Sequence, residues 1–244
     1  MNCLPQVKTR IRRFSTLALL GVALALGLPE AVEARENAPD AREILALVRD
    51  NQSAQDRDFA GRLRTSSSSK KVVVPFRLMM KGGRITYLFD HPKEAFVLKL
   101  GDSGARLEHV AGSGRTASVP KARYDEPVRG TDITYEDLAL QFLYWNNAKV
   151  VGEDTLSTRR CWVVEAVPPG RGVSQYDRVR LWVEKGGALM KAECFQGGRL
   201  ARRFEVRNVQ KAPEGGGYIL KSMRIQRMDG EGDRSQTYLD VQPL

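Results

Sequence analysis

The sequence predicts a mainly β protein of the α+β class: a strongly curved antiparallel sheet, or half-barrel, of about 10–11 strands closed by two or so helices. Three observations predict it. Apolar residues alternate with period two in runs that recur every 10 to 12 residues or so. Glycine-bearing turns separate those runs. Helical spacing shows clearly in two segments, and the second splits the strands into two groups. A flat sheet of that many strands would leave a large apolar face uncovered. A curved one that wraps its own helices removes the exposure and encloses an apolar space.

The chain opens with a leader. Lys8, Arg10, Arg12 and Arg13 precede an uncharged run from Leu17 to Leu28, then Pro29 and the small residues of Val32-Glu33-Ala34. Those three parts make a cleavable secretion signal spanning residues 1–34. The run is 12 residues long, short for a membrane span of ~20. Cys3 precedes the apolar core and cannot be a lipid-modified cysteine, and no lipobox cysteine follows. Cleavage near Ala34 leaves residues 35–244, a length for one domain or at most two, read here as a single periplasmic domain.

A helix is expected from Asp40, with Asp40 and Glu43 at capping-box spacing and Ile44, Leu47 and Val48 as its apolar stripe, fading after Asp50-Asn51. The period then changes. Strands are expected at 72–80, 85–90, 95–100 and 105–110, with turns at Lys81-Gly82-Gly83-Arg84, His91-Pro92-Lys93 and Gly101 to Gly104. Residues 111–133 read as irregular. A second helix follows, capped by Thr134 with Asp137 three residues on, and Tyr135, Leu138, Phe142 and Trp145 share one side of it. Strands return at approximately 160–167, 178–185, 188–196, 199–209, 217–228 and 234–242.

The net charge is +10, and four Lys/Arg against two Glu in the leader leave +8 for residues 35–244. A basic exported domain could meet lipid, an anionic membrane surface or an envelope transport partner, while nucleic acid fits neither the export signal nor any motif. Cys161 and Cys194 would stand two strands apart, about 9–10 Å in a meander, beyond the ~7 Å a disulfide allows. Both are therefore read as free thiols.

No catalytic set stands out. His91 and His109 each lie beside a turn without a partner at metal-ligand spacing, Gly101-Asp102-Ser103-Gly104-Ala105 is a hairpin turn and not a nucleophile elbow, and Gly215-Gly216-Gly217 is no phosphate loop. No metal and no cofactor is implied. What is left is an apolar interior, for which Tyr87, Phe89, Leu98, Leu138, Phe142, Trp162, Leu181, Trp182, Phe204, Met223 and Ile225 are the candidate lining. Any one of them could simply pack a core. Met79, Met80, Met190 and Met223 would suit an adaptable lining.

Gly130-Thr131-Asp132-Ile133-Thr134-Tyr135-Glu136-Asp137-Leu138 resembles the segment typical of exported bacterial outer-membrane lipoprotein-sorting proteins, relatives of the LolA/LolB carriers. The resemblance continues through Val151 to Asp154, Cys161-Trp162, Pro168, Ser174-Gln175-Tyr176, Leu181 to Glu184, Arg203-Phe204, Leu220 to Ile225 and Thr237-Tyr238-Leu239. It implies an incomplete barrel closed by helices and a periplasmic carrier that shields acyl chains. The classical carriers hold their helices closed with an arginine near the start of the barrel, and the resemblance offers Arg62, Arg64 or Arg77 for that part.

The expectation is a monomeric periplasmic carrier of lipid or lipoprotein acyl chains, with no catalytic residues. Two rivals stand beside it. One is a non-catalytic envelope interaction module with a packed core. The other is a lipid-modifying enzyme, which would need His91 or His109 beside a carboxylate in a pocket.

Overall fold

A computed structural model describes residues 39–67, 71–213, 217–228 and 235–244. The leader expected at 1–34 and most of the Glu214–Gly217 turn lie outside the described residues. Helix α1 is Ala41–Ser53. The first strand group is β1 Arg57–Ser66, β2 Lys71–Lys81, β3 Arg84–Asp90, β4 Lys93–Leu100, β5 Ala105–Ala111 and β6 Thr116–Ser118. A linker with short helix α2, Tyr135–Ala139, leads to the second group. That group is β7 Asn147–Leu156, β8 Arg159–Val167, β9 Arg178–Glu184, β10 Leu189–Gln196, β11 Arg199–Lys211, β12 Tyr218–Arg227 and β13 Gln236–Pro243.

All thirteen strands form one curved, unclosed antiparallel sheet in the order β6-β5-β4-β3-β2-β1-β13-β12-β11-β10-β9-β8-β7. Each group is a meander of sequential neighbours, and the β1–β13 pairing joins the two. The half-barrel class is as the sequence predicts; β1, β6 and β7 are additional to the expected strands.

Asp40 caps α1 by accepting from the Arg42 backbone N–H at 2.8 Å, and the Arg42 guanidinium grips the same carboxylate. Arg42, not Glu43, is thus the second partner at this cap. Ala41, Ile44, Leu45 and Val48 form the buried stripe, while Leu47 is 41% exposed. Leu47 rests on the β9–β10 turn, where a Cβ on Gly187 would come within 2.6 Å of its Cγ. Gly187 also has φ 88°, so glycine is required there on both counts.

The second expected helix breaks early. Thr134 and Asp137 form a complete capping box, but Leu140 turns left-handed (φ 49°) and residues 141–144 continue as a 3-10 turn. The break has a packing consequence. Tyr135 and Leu138 join the apolar cluster over β1–β5, β12 and β13. Phe142 and Trp145 join the cluster formed by α1 with β8, β9 and β10. Leu140 packs against both. A straight helix could not deliver its two ends to two cores.

Gly61 is a point of close packing in the sheet. It faces Phe76 across the β1–β2 ladder, and a Cβ there would meet the Phe76 ring at 2.4 Å. The ring fills the space the missing side chain leaves, as glycine in a strand permits.

Candidate functional site

One face of the sheet is apolar over most of its width. In cross-strand register, Val74, Leu63, Leu239, Met223 and Val206 form one row across β2, β1, β13, β12 and β11. Tyr87, Leu78 and Phe59 form another. The edges of this face are covered: α2 lies against β5, and α1 packs over the β8–β10 side. The middle is covered less. Val74, Leu78, Tyr87, Phe204, Met223 and Leu239 are only partly buried there. Burial nevertheless pushes the Tyr87 phenol up to about 12.

The linker between β6 and β7 runs from one edge of the sheet to the other, and polar contacts fix it. Arg129 donates to the carbonyls of His91 and Pro92, both at 2.7 Å. Gln141 donates to the Ala105 carbonyl at 2.7 Å, and Arg49 of α1 to the Leu143 carbonyl.

At the centre of the linker sits a buried polar hub. Thr131, Asp132, Thr134, Glu136 and Asp137 are all buried, and Arg202 of β11 reaches them with its side chain 9% exposed. Arg202 donates to the Asp132 carbonyl, the Gln175 side-chain oxygen and the Tyr176 hydroxyl, each at 3.1 Å, and its Nε lies 3.8 Å from the Asp137 carboxylate. Tyr176 donates its O–H to Asp137 at 2.7 Å. Ser174 and the Gln175 backbone N–H donate to Glu136. Thr237 and Ser235 donate to Asp132, and Thr65 contacts Thr237 at 2.7 Å. Linker, β9 approach, β11, β13 and β1 are therefore tied at one point.

Burial raises the Asp137 carboxyl above its ordinary value, although Arg202 and the Thr134 and Tyr176 hydrogen bonds pull the other way. Glu136 is raised by burial in the same manner, against Ser174 and Gln175. The hub is satisfied internally. It is a fastening, and no substrate-facing group is evident in it.

Tyr87, Phe89, Leu98, Phe204, Met223 and Ile225 share the apolar face with Leu138 above them. Leu181, Trp162 and Phe142 belong to the α1 side of that face. Trp182 does not join them. Adjacent strand residues point to opposite faces, so Trp182 packs on the outer face with Cys161 and Val163 and donates its N–H to Asp154 at 2.8 Å. Cys161 and Cys194 are both buried and free, and they too lie on opposite faces. Burial raises both thiols.

Arg62, Arg64 and Arg77 point outward and are exposed. The arginine built into the interior is Arg202, which the sequence reading did not single out. The density of hydroxyls and carboxylates in a segment with a strongly apolar side was the available signal for its partners. His109 differs from a plain surface histidine: its ring stacks on Phe96 at 4.9 Å and its Nε2 lies 2.8 Å from Glu94. Arg129 holds the other oxygen of that carboxylate at 2.7 Å. Two basic side chains thus share Glu94, which braces the linker to β4 and β5.

An open, curved antiparallel sheet with helices on its apolar face is the LolA-like half-barrel. A family model described as that of an uncharacterized protein matches residues 110–242, more than half of the chain, and the chain belongs to that family. No curated protein matches the sequence. Solved structures do match. An outer membrane lipoprotein-sorting protein domain from Vibrio parahaemolyticus shares 16% identity at a TM-score of 0.66, over 82% of this chain and 89% of that one. A DUF1329 family protein from Desulfovibrio piger shares 18% at 0.65, over 84% and 92%. A LolA superfamily protein from Nitrosomonas europaea shares 18% at 0.59, over 85% and 96%. At these identities the likeness is one of fold.

Proposed function

We infer that the protein is a non-enzymatic carrier of the cell envelope that binds acyl chains of lipids or lipoproteins on its apolar sheet face. The observation that carries this reading is the incompletely covered middle of that face, where Val74, Leu78, Tyr87, Phe204, Met223 and Leu239 keep exposed apolar surface. Soluble proteins seldom leave such a patch open without a ligand or partner for it. Burial of each CH₂ contributes ~0.8 kcal/mol, so part of one acyl chain suffices for useful affinity without a dedicated polar residue. The lipoprotein-sorting name of a structural neighbour supports the same class of cargo. On this reading the leader exports the carrier to the periplasm as a single domain of residues 35–244, released near Ala34, and a monomer suffices for the task.

The experiment is gentle purification followed by native mass spectrometry, lipid extraction and titration with a fluorescent fatty-acid probe. Bound lipid or saturable probe binding is expected. Met223→Asp and Leu239→Asp should weaken it at least tenfold, because each places a charge on the apolar face, while Trp182→Phe on the outer face should leave it unchanged. A folded protein that is empty and ignores the probe would sink the carrier reading. His109 beside Glu94 is the observation that favours an enzyme; acyl-ester hydrolysis that disappears in His109→Ala would move the assignment there.

A further inference from the structure

The outer face of the first strand group carries a basic row in which one cation of four has a carboxylate partner among the described residues. Lys81 of β2 pairs with Arg84 of β3, Arg84 with Lys99 of β4, and Lys99 with Arg106 of β5. Four cations thus stand side by side across four strands, about 14 Å from end to end at the strand spacing of a sheet. Like charges directly opposite one another destabilise a sheet. Only Lys99 has a carboxylate partner, Glu108 at 2.8 Å; among the described residues no ion pair compensates Lys81, Arg84 or Arg106, all exposed.

The second strand group shows how the same sheet avoids this cost. There the outer row reads Lys149, Glu165, Arg180, Glu193, Arg203, with the sign alternating at every strand. Glu165 bridges Lys149 and Arg180, and Glu193 bridges Lys191 and Arg203. The first group lacks that alternation.

Apolar side chains flank the basic row on the same outer face. The next row is Met79, Thr86, Val97 and Glu108, and the one beyond is Arg77, Leu88, Ala95 and Val110. Met79 is 39% exposed and Val73, further along β2, is 62% exposed. Glu108 lies beside one end of the row and Asp58, opposite Met79, beside the other, and Asp102 sits in the turn that joins the strands of Lys99 and Arg106.

We propose that this face, Lys81, Arg84, Lys99 and Arg106 with Met79 beside them, docks the protein on an anionic phospholipid bilayer. Charge complementarity to a plane of phosphates is the specific argument, and the adjacent apolar residues suit shallow contact with the headgroup layer. The docking face is the side of the sheet opposite the acyl-binding face, so a docked molecule keeps that face and its linker free. The proposal rests on a different face from the carrier reading: uptake of vesicle lipid by the acyl-binding face would not require phosphatidylglycerol and would be weakened by Met223→Asp, whereas docking through the basic row requires the anionic lipid and is unchanged by Met223→Asp.

The test is co-sedimentation of the purified protein with vesicles of phosphatidylcholine, with or without phosphatidylglycerol. Binding is expected only with phosphatidylglycerol and should fall steeply with salt. Arg84→Gln with Arg106→Gln should lower the partition coefficient about 30-fold, or roughly fivefold for each cation removed. Arg171→Gln with Arg199→Gln removes the same charge from exposed positions elsewhere, and should stay within about threefold because screening confines attraction to nearby charges. Circular dichroism and thermal melts verify that both pairs fold. An equal loss in the two pairs would show diffuse attraction and overturn the site. Failure of the parent protein to bind anionic vesicles would overturn it in favour of another partner, such as an acidic protein.

Discussion

Arg202→Met tests whether the polar hub is the fastening of the linker. The substitution keeps most of the side-chain volume and removes, among the described residues, three hydrogen bonds, to the Asp132 carbonyl, Gln175 and Tyr176, with one ion-pair contact to Asp137. Asp137 is 2% exposed, so it would lose its buried counter-charge. Breaking a buried pair in this way costs about 3–5 kcal/mol. For a chain of this size each kcal/mol lowers Tm by ~2–4 °C, so a fall of roughly 6–20 °C is expected by calorimetry or circular dichroism. The cost also has a pH signature. Burial already raises the Asp137 carboxyl above 3.8, and loss of Arg202 raises it further. A carboxyl whose folded pKa lies above its unfolded one favours the fold below the unfolded value and loses that advantage as pH rises through the folded one. The variant should therefore be closest to the parent in acid and furthest from it near neutrality. Asp137→Asn in the Arg202→Met background should recover part of the loss, with a coupling of about 0.5–3 kcal/mol. A loss below about 1 kcal/mol, or strict additivity, would refute the idea that the hub holds the linker.

Three further outcomes are expected. Gly61→Ala should destabilise by about 1–3 kcal/mol, because the new methyl displaces the Phe76 ring; Phe76→Leu in the same chain should restore part of it in urea titrations. Glu165 and Glu205 are pushed up by burial but held below 4.5 by the arginines and lysine around them, Arg180 and Lys149 for Glu165 and Arg224 for Glu205. Their stabilisation is present above 4.5 and lost as pH falls through the lowered values, so Glu165→Gln with Glu205→Gln should flatten the acid side of the stability profile. Cys161 and Cys194 should resist thiol reagents in the native protein of residues 35–244, and both should react in denaturant without reductant; a single reactive thiol, or none, would contradict the free pair.

Much of the fold was legible because its strands obey period two and its turns carry glycine. What escaped notice has identifiable causes. Strand β1 alternates correctly, but its inward positions are Phe59, Gly61, Leu63 and Thr65, so only two of four are bulky and apolar. Strand β7 is an edge strand with a bulge between Val150 and Gly152 and with Glu153 and Asp154 on it, the features that blunt an edge and also blur its pattern. The end of α2 at Leu140 was invisible because tertiary packing imposes the left-handed turn on a residue with good helix propensity. Ten of the eleven lining candidates lie on or over the apolar face, and Trp182 lies on the other, because it follows Leu181 and adjacent strand positions face opposite ways. Arg202 was missed because its role depends on residues 27 and 70 positions away, Gln175 and Asp132.

The seam between β1 and β13 has a kinetic consequence. Every other pairing in the sheet joins sequence neighbours, so each meander can zip locally, while Thr65 and Thr237 meet across 172 residues. Closing so long a loop carries most of the entropic delay in assembly. The two halves should therefore gain structure early and dock late. Because Asp132 accepts a hydrogen bond from the Thr237 hydroxyl and donates its backbone N–H to the same oxygen at that seam, the linker can lock only after the halves have met, which makes its burial the final event of folding.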